Sequence, residues 1–261
     1  MELVFLGTGT STGVPMVGCH CRTCSSHDPA DRRLRASVLV RRSASAPALL
    51  IDAGPDLRTQ LLRQDSPDLA AALITHIHYD HVGGIDDLRP YCYKCPDGRF
   101  PVYCRKDVAA GLRHNVPYAF AAEHYPGAPG FDLHIVGHGD SFSVKAGDET
   151  FEVQPLEVLH GKLPILGYRI GKMAYVTDAL SVPESSVEML KDLDVLVVNA
   201  LRPQPHAAHM SLDQALALIE RVGPRRAYLT HASHDMPPAA LVQPRLPQGV
   251  FLARDGMTVE F

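Results

Sequence analysis

Apolar residues along this chain fall in short, nearly unbroken runs rather than in long helical stripes. LVFLG (3–7), SVLVR (37–41), ALLID (48–52) and AALIT (71–75) have strand length and are bounded by Gly, Pro, Ser or polar residues. A second group follows in FEVQPLEVL (151–159), LGYRI (166–170), MAYVTDA (173–179), DVLVVNA (194–200) and RAYLTHA (226–232). Three segments read as helices: 55–64, with Pro55 in its first turn; 184–192; and 211–221, where Ser211 can cap a helically spaced apolar pattern. Strands mixed with helices, twice over, predict an α/β fold whose two halves build one layered domain across 1–261. No repeat or Gly/Pro/Ser-rich linker divides the chain. The stretch from about 92 to 149 is the least regular and reads as an insertion of a helix and loops. Within it, NVPYAFAAEHYPGAPG (115–130) suits a lid or a homodimer contact.

The chemistry begins at THIHYDH (75–81), directly after an apolar run. In an extended chain His76, His78 and Asp80 would project to one side, with His81 where a helix could begin. Four such donors within six residues can hold two divalent metals, and two metals need further ligands. His160, Asp178 and His231 each follow another strand-like run. With them the chain offers a three-histidine site, a mixed Asp/His site and one bridging carboxylate.

HIHYDH, the later His160, Asp178 and His231, and LIDAG (50–54) resemble the metallo-β-lactamase superfamily of binuclear metallohydrolases. The resemblance implies a four-layered αββα sandwich with the metals at one edge of its sheets. It also implies that His76, His78 and His160 bind one metal, that Asp80, His81 and His231 bind the other, and that Asp178 bridges them. Asp52 matches an aspartate that holds the histidine loop. The fold alone does not select a substrate, because such a metal pair serves lactam, thioester, lactone and phosphodiester hydrolysis alike.

GCHCRTC (18–24) carries three of the six cysteines. The N-terminus MELVFLGTGT has no basic region ahead of an apolar run, and no window approaches the roughly 20 apolar residues of a membrane span, so a cytoplasmic protein without a membrane partner is expected. There, Cys19, Cys21 and Cys24 favour a tetrahedral zinc over a disulfide. Candidates for its fourth ligand are His20, His27 and the distant His234. A hydrophobic content of 46 % supports a core without staples, and a net charge of −4 without a Lys/Arg block gives no footprint for nucleic acid.

GTGTSTGVPMVGCHCRTC, the THASH near the end and HGKLPILGY (160–168) resemble the PhnP-like phosphodiesterases within the superfamily. That narrower resemblance implies a structural zinc on Cys19, Cys21, Cys24 and His234, and catalytic ions that are manganese, zinc or iron, with manganese favoured. His209 stands where the group has a histidine that contacts the phosphate and assists the leaving group. Asp80 and His209 are thus the expected catalytic residues, Asp80 being a ligand as well. The expected activity is hydrolysis of a small, cyclic-sugar phosphodiester by metal-activated water. Rivals are a tRNA 3′-processing endonuclease, a thioester or lactone hydrolase, and a non-catalytic metalloprotein like PqqB. Cys92, Cys95 and Cys104 depart from the pattern and read as thiols without a ligand role.

Overall fold

A computed structural model of the chain describes residues 1–121 and 125–261. Strands β1 (Glu2–Gly7), β2 (Ser37–Arg41), β3 (Ala48–Ile51), β4 (Leu69–Leu73), β5 (Phe100–Cys104) and β6 (Phe131–Ile135) cross a first sheet in chain order. A second sheet contains β7 (Phe142–Ala146), β8 (Glu149–His160), β9 (Leu163–Ile170), β10 (Met173–Val176), β11 (Val195–Asn199), β12 (Arg226–Thr230) and β13 (Val250–Leu252), again side by side in chain order. Strand β14 (Thr258–Glu260) returns to pair with β1. Each sheet is antiparallel on one side and parallel on the other, from β3 to β6 and from β10 to β13.

The helices cover the outer faces. Helices α1 (Leu57–Leu62), α2 (Tyr79–Val82), α3 (Arg89–Cys92) and α4 (Lys106–Asn115) pack on the first sheet. Helices α5 (Glu184–Met189), α6 (Leu212–Val222) and α7 (Ala239–Val242) pack on the second. Strand alternation explains the unbroken apolar runs. Met173 and Tyr175 of β10 and Val195 and Val197 of β11 enter the layer between the sheets, while Ala174, Val176, Leu196 and Val198 face the helices. Both faces are covered, so polar residues have no place in either strand. The result is the αββα sandwich.

The segment 92–149 is corrected by the structure: β5 and β6 complete the first sheet, β7 edges the second, and α4 lies between β5 and β6. These strands escape a hydrophobicity reading because they are short and lie toward the sheet edges, as in FDLHI and FSVKA, where polar residues reach solvent. Strands β13 and β14, three residues each, were absent from the reading for the same reason. The two helices expected over 55–64 and 184–192 shorten to Leu57–Leu62 and Glu184–Met189, whereas α6 starts as expected from Ser211. There Ser211 and Gln214 form a reciprocal capping box. Part of the expected lid or dimer segment, residues 122–124, lies outside the described residues.

Close to the histidine loop the two sheets are bonded to each other directly. The buried Tyr168 hydroxyl donates to the Ile74 carbonyl at 2.7 Å, and the Leu166 amide donates to the Thr75 carbonyl at 3.1 Å. Tyr168→Phe is expected to leave the Ile74 carbonyl without this donor and to cost about 1–3 kcal/mol in urea unfolding. An unchanged midpoint would show that the sheet contact does not depend on this hydroxyl.

Candidate metal centre

Strand β4 stops at Leu73, and residues 74–78 continue as irregular chain. His78 is the N-cap of α2, so Asp80 and His81 sit in one helical turn. Alternation along an extended strand therefore does not place the donors; a loop and a helical turn do. His160 is the last residue of β8, Asp178 follows β10, and His231 directly follows β12. Side-chain donor atoms of His76, His78 and His160 lie within 4.8 Å of one another, as do those of Asp80, His81, Asp178 and His231. His160, Asp178 and His209 form a third such group, which joins the first two.

Anchors outside the cluster aim these rings. Asp52, fully buried, accepts from the Thr75 amide at 2.8 Å and the Thr75 hydroxyl at 2.9 Å, and meets His81 Nδ1 at 2.7 Å. His76 Nδ1 faces the Thr75 hydroxyl at 3.0 Å, and His160 Nδ1 faces the Ala208 carbonyl at 2.9 Å. In each ring the Nδ1 contact leaves Nε2 for the centre, an arrangement that fixes ring orientation in metal sites. His81 Nε2 lies 3.2 Å from Asp80 and from Asp178, and His231 Nε2 lies 3.1 Å from Asp178. Both Nε2 atoms are buried without a hydrogen-bond partner. Ring nitrogens buried against carboxylates need a cation between them, a proton or a metal ion, and with seven such donors converging the set fits a divalent ion.

Electrostatics follow the same geometry. Burial pushes the Asp52 carboxyl up, against the pull of His81 and Thr75. Burial opposes charge on His81, but Asp178 and Asp52 outweigh it and hold His81 well above the usual imidazole range. Asp178, despite its burial, is held well below the carboxylate range by His231 and His81. His209 behaves oppositely. Burial and the neighbouring His231 lower it to about 3, and its Nδ1 lies 3.6 Å from Asp178. It is a neutral imidazole at neutral pH.

The backbone is strained at these positions. Asp52, Asp178 and His231 have φ of 65°, 57° and 56°, half of the non-glycine residues with positive φ among those described. Strain of this kind, about 1–3 kcal/mol each, persists where surrounding contacts over-determine the chain. Glycines permit the tight fit. A Cβ on Gly54 would lie 2.1 Å from the Asp80 carbonyl oxygen, and one on Gly84 would lie 2.0 Å from that of Gly54.

The thiol loop reaches the same end of the second sheet. The Thr10 amide donates to the Ala232 carbonyl and the Ala232 amide to the Thr8 carbonyl, and the Thr23 hydroxyl donates to the Met236 carbonyl at 2.9 Å. Cys19 and Cys21 Sγ lie 3.3 and 3.5 Å from His234 Nδ1, and Cys24 completes the group. The Cys24 amide and His234 lower the Cys21 thiol to about 6, whereas burial raises Cys24 to about 11. Four N/S donors at this spacing could hold one tetrahedral ion. His20 and His27 are exposed and outside the group. Cys92 donates to the Gly130 carbonyl, Cys104 is buried, and neither they nor Cys95 join a donor cluster among the described residues. His206, beside His209 at 5.1 Å between ring centroids, was not singled out in the sequence; its one signal is the spacing PHAAH.

Comparison with known proteins finds relatives of the same fold. Residues 48–232 match the family described as the β-lactamase superfamily domain. An octanoyltransferase of Porphyromonas gingivalis is 42 % identical over 238 residues, which cover 91 % of this chain and 47 % of that protein. The chain thus spans about half the length of that relative. A crystal structure described as a new diphosphatase from the PhnP family superposes with a TM-score of 0.89 at 39 % identity, covering 100 % of this chain and 96 % of that one. Zinc-bound PqqB from Methylobacterium extorquens shares the fold, with a TM-score of 0.80 at 20 % identity and full coverage of both chains.

Gly54→Ala is expected to push the Asp80 carbonyl and with it the histidine loop, at a cost of about 1–3 kcal/mol in chemical denaturation. A wild-type unfolding curve for this variant would mean that the loop yields without loss.

Proposed function

This chain belongs to the β-lactamase superfamily, among its PhnP-like members, and from that membership we propose that it is a metal-dependent phosphodiesterase acting on a small phosphodiester. The observation that carries the reading is the placement of His209, with Nδ1 3.6 Å from Asp178, the carboxylate shared by two donor sets. His76, His78 and His160 would hold one divalent ion, Asp80, His81 and His231 a second, with Asp178 between them. Ions bound there lower the pKa of a bound water toward neutrality and stabilise charge growing on phosphoryl oxygens. Manganese, zinc and iron all suit such ligands, and the PhnP-like pattern favours manganese.

The chain's own residues do the positioning. Asp52 and Thr75 fix His81 and His76, and the Ala208 carbonyl fixes His160. His78 is exposed while its neighbours His76 and Asp80 are buried, so the substrate approaches from its side. His209, beside Asp178, would steady the departing oxygen with a hydrogen bond until that oxygen gains the proton given up by the attacking water. Cys19, Cys21, Cys24 and His234 would hold a structural zinc.

A cyclic-sugar phosphate is the first substrate to test. A phosphoanhydride is the second, favoured by the 39 % identity to the diphosphatase. The octanoyltransferase name belongs to a protein of which this chain matches less than half, and it assigns no acyl transfer here. A net charge of −4 favours a small molecule over tRNA.

After reconstitution with manganese, a panel of cyclic phosphates, linear nucleotide diesters, a nucleoside diphosphate, a precursor tRNA and a thioester should show turnover confined to small phosphate compounds. Asp178→Ala should reduce it roughly 100-fold or more. Absence of phosphodiester turnover, or full activity in that variant, would falsify the reading. Metal analysis should find about three equivalents per chain, and His234→Ala should lose the zinc while retaining the other two. Full zinc retention in that variant would show that His234 is not a zinc ligand.

A further inference from the structure

A row of four imidazoles runs outward from the buried end of the centre. His81 stacks on His231 with ring centroids 5.8 Å apart, His231 stacks on His209 at 5.1 Å, and His209 lies 5.1 Å from His206. Exposure rises along the row. The side chains of His81 and His231 are 0 % and 1 % exposed, that of His209 is 12 % exposed, and His206 is half-buried. The first two belong to the donor set and the third stands against Asp178. The fourth has no task in the reaction described above.

His206 is nevertheless oriented. The Ala208 amide donates to its Nδ1 at 3.3 Å, which makes Nδ1 an acceptor and places the proton of the neutral ring on Nε2. Ala208 also aims His160 through its carbonyl, so one residue sets both rings. Arg202 braces the loop by donating to the Pro205 carbonyl at 3.2 Å and by pairing with Asp235 at 3.1 Å.

We propose that His206 is a substrate-binding residue whose Nε2–H donates a hydrogen bond to an anionic phosphoryl oxygen on the solvent side of His209. The identity of that anion rests on the phosphodiesterase reading. A neutral N–H suits the position: it offers a charge-assisted bond to a phosphate without adding a cation beside the metal ligands.

The test uses the zinc-loaded full chain with inorganic phosphate as the probe. Calorimetric titration should show phosphate binding about tenfold weaker in His206→Ala than in the wild type. His206→Gln, whose amide nitrogen can reach the Nε2 position, should recover most of that loss. Metal content and melting temperature should be unchanged in both variants. Nitrogen NMR of the labelled imidazoles should find His206 protonated at Nε2. Equal phosphate affinity in the alanine variant, no phosphate binding by the wild type, no recovery with glutamine, or a proton on Nδ1 would each overturn the assignment. If the wild type hydrolyses no phosphodiester, the functional reading falls, while the phosphate titration still decides the role of His206.

Discussion

The centre depends on a carboxylate that is no part of the donor set. Asp52 lies at the end of β3 with no exposed surface, and its two oxygens hold Thr75 at the start of the histidine loop and His81 near its end. A buried carboxylate is tolerable only with such partners, and here the partners are the loop itself. The short distance between Asp52 and His81 fixes which way His81 Nε2 points. Thr75, held by the same carboxylate, faces His76 Nδ1. One unfavourable burial thereby orients rings from both ends of a seven-residue segment, and the strained φ of Asp52 is part of the cost.

A second set of contacts brings the far strands into register with the first. Tyr168 and Leu166 bond the second sheet to residues 74 and 75, next to His76. The N-terminal loop bonds to Ala232, between His231 and His234, and His234 meets Cys19 and Cys21 as a clasp between the two ends of the chain. His76 and His231 therefore stand beside chain fixed from a second side, by the other sheet and by the N-terminal loop respectively. Preorganisation of this kind lets buried carboxylates and imidazoles face one another at about 3 Å.

The central strands and the identity of the donors were legible because each obeys a simple local rule. Strands covered on both faces, such as β10 and β11, are continuous apolar runs, and donors at strand ends stand out against them. The edge strands were not legible, since FDLHI and FSVKA mix polar with apolar residues, as half-solvated strands do. Period-two reasoning misplaced Asp80 because nothing local shows that β4 ends at Leu73 or that His78 caps a helix. His234, the distant partner of Cys19, stood out three residues past His231, whereas the bond from Tyr168 to the Ile74 carbonyl belongs to the packing of two sheets and has no local trace. His206 escaped because its one local signal, the spacing PHAAH, is weak; the row of rings distinguishes it.

The clasp has a consequence for how the chain is made. Cys19 and His234 are 215 residues apart in sequence yet 3.3 Å apart in the fold. On a ribosome adding about 5–20 residues per second, the thiols are complete roughly 10–40 seconds before their imidazole exists. The first loop to be synthesised is thus among the last to be fixed, and for that interval three cysteines stand without their partner. The reducing capacity of the surroundings, rather than any later step of folding, then decides whether the loop reaches its histidine as thiols or already oxidised.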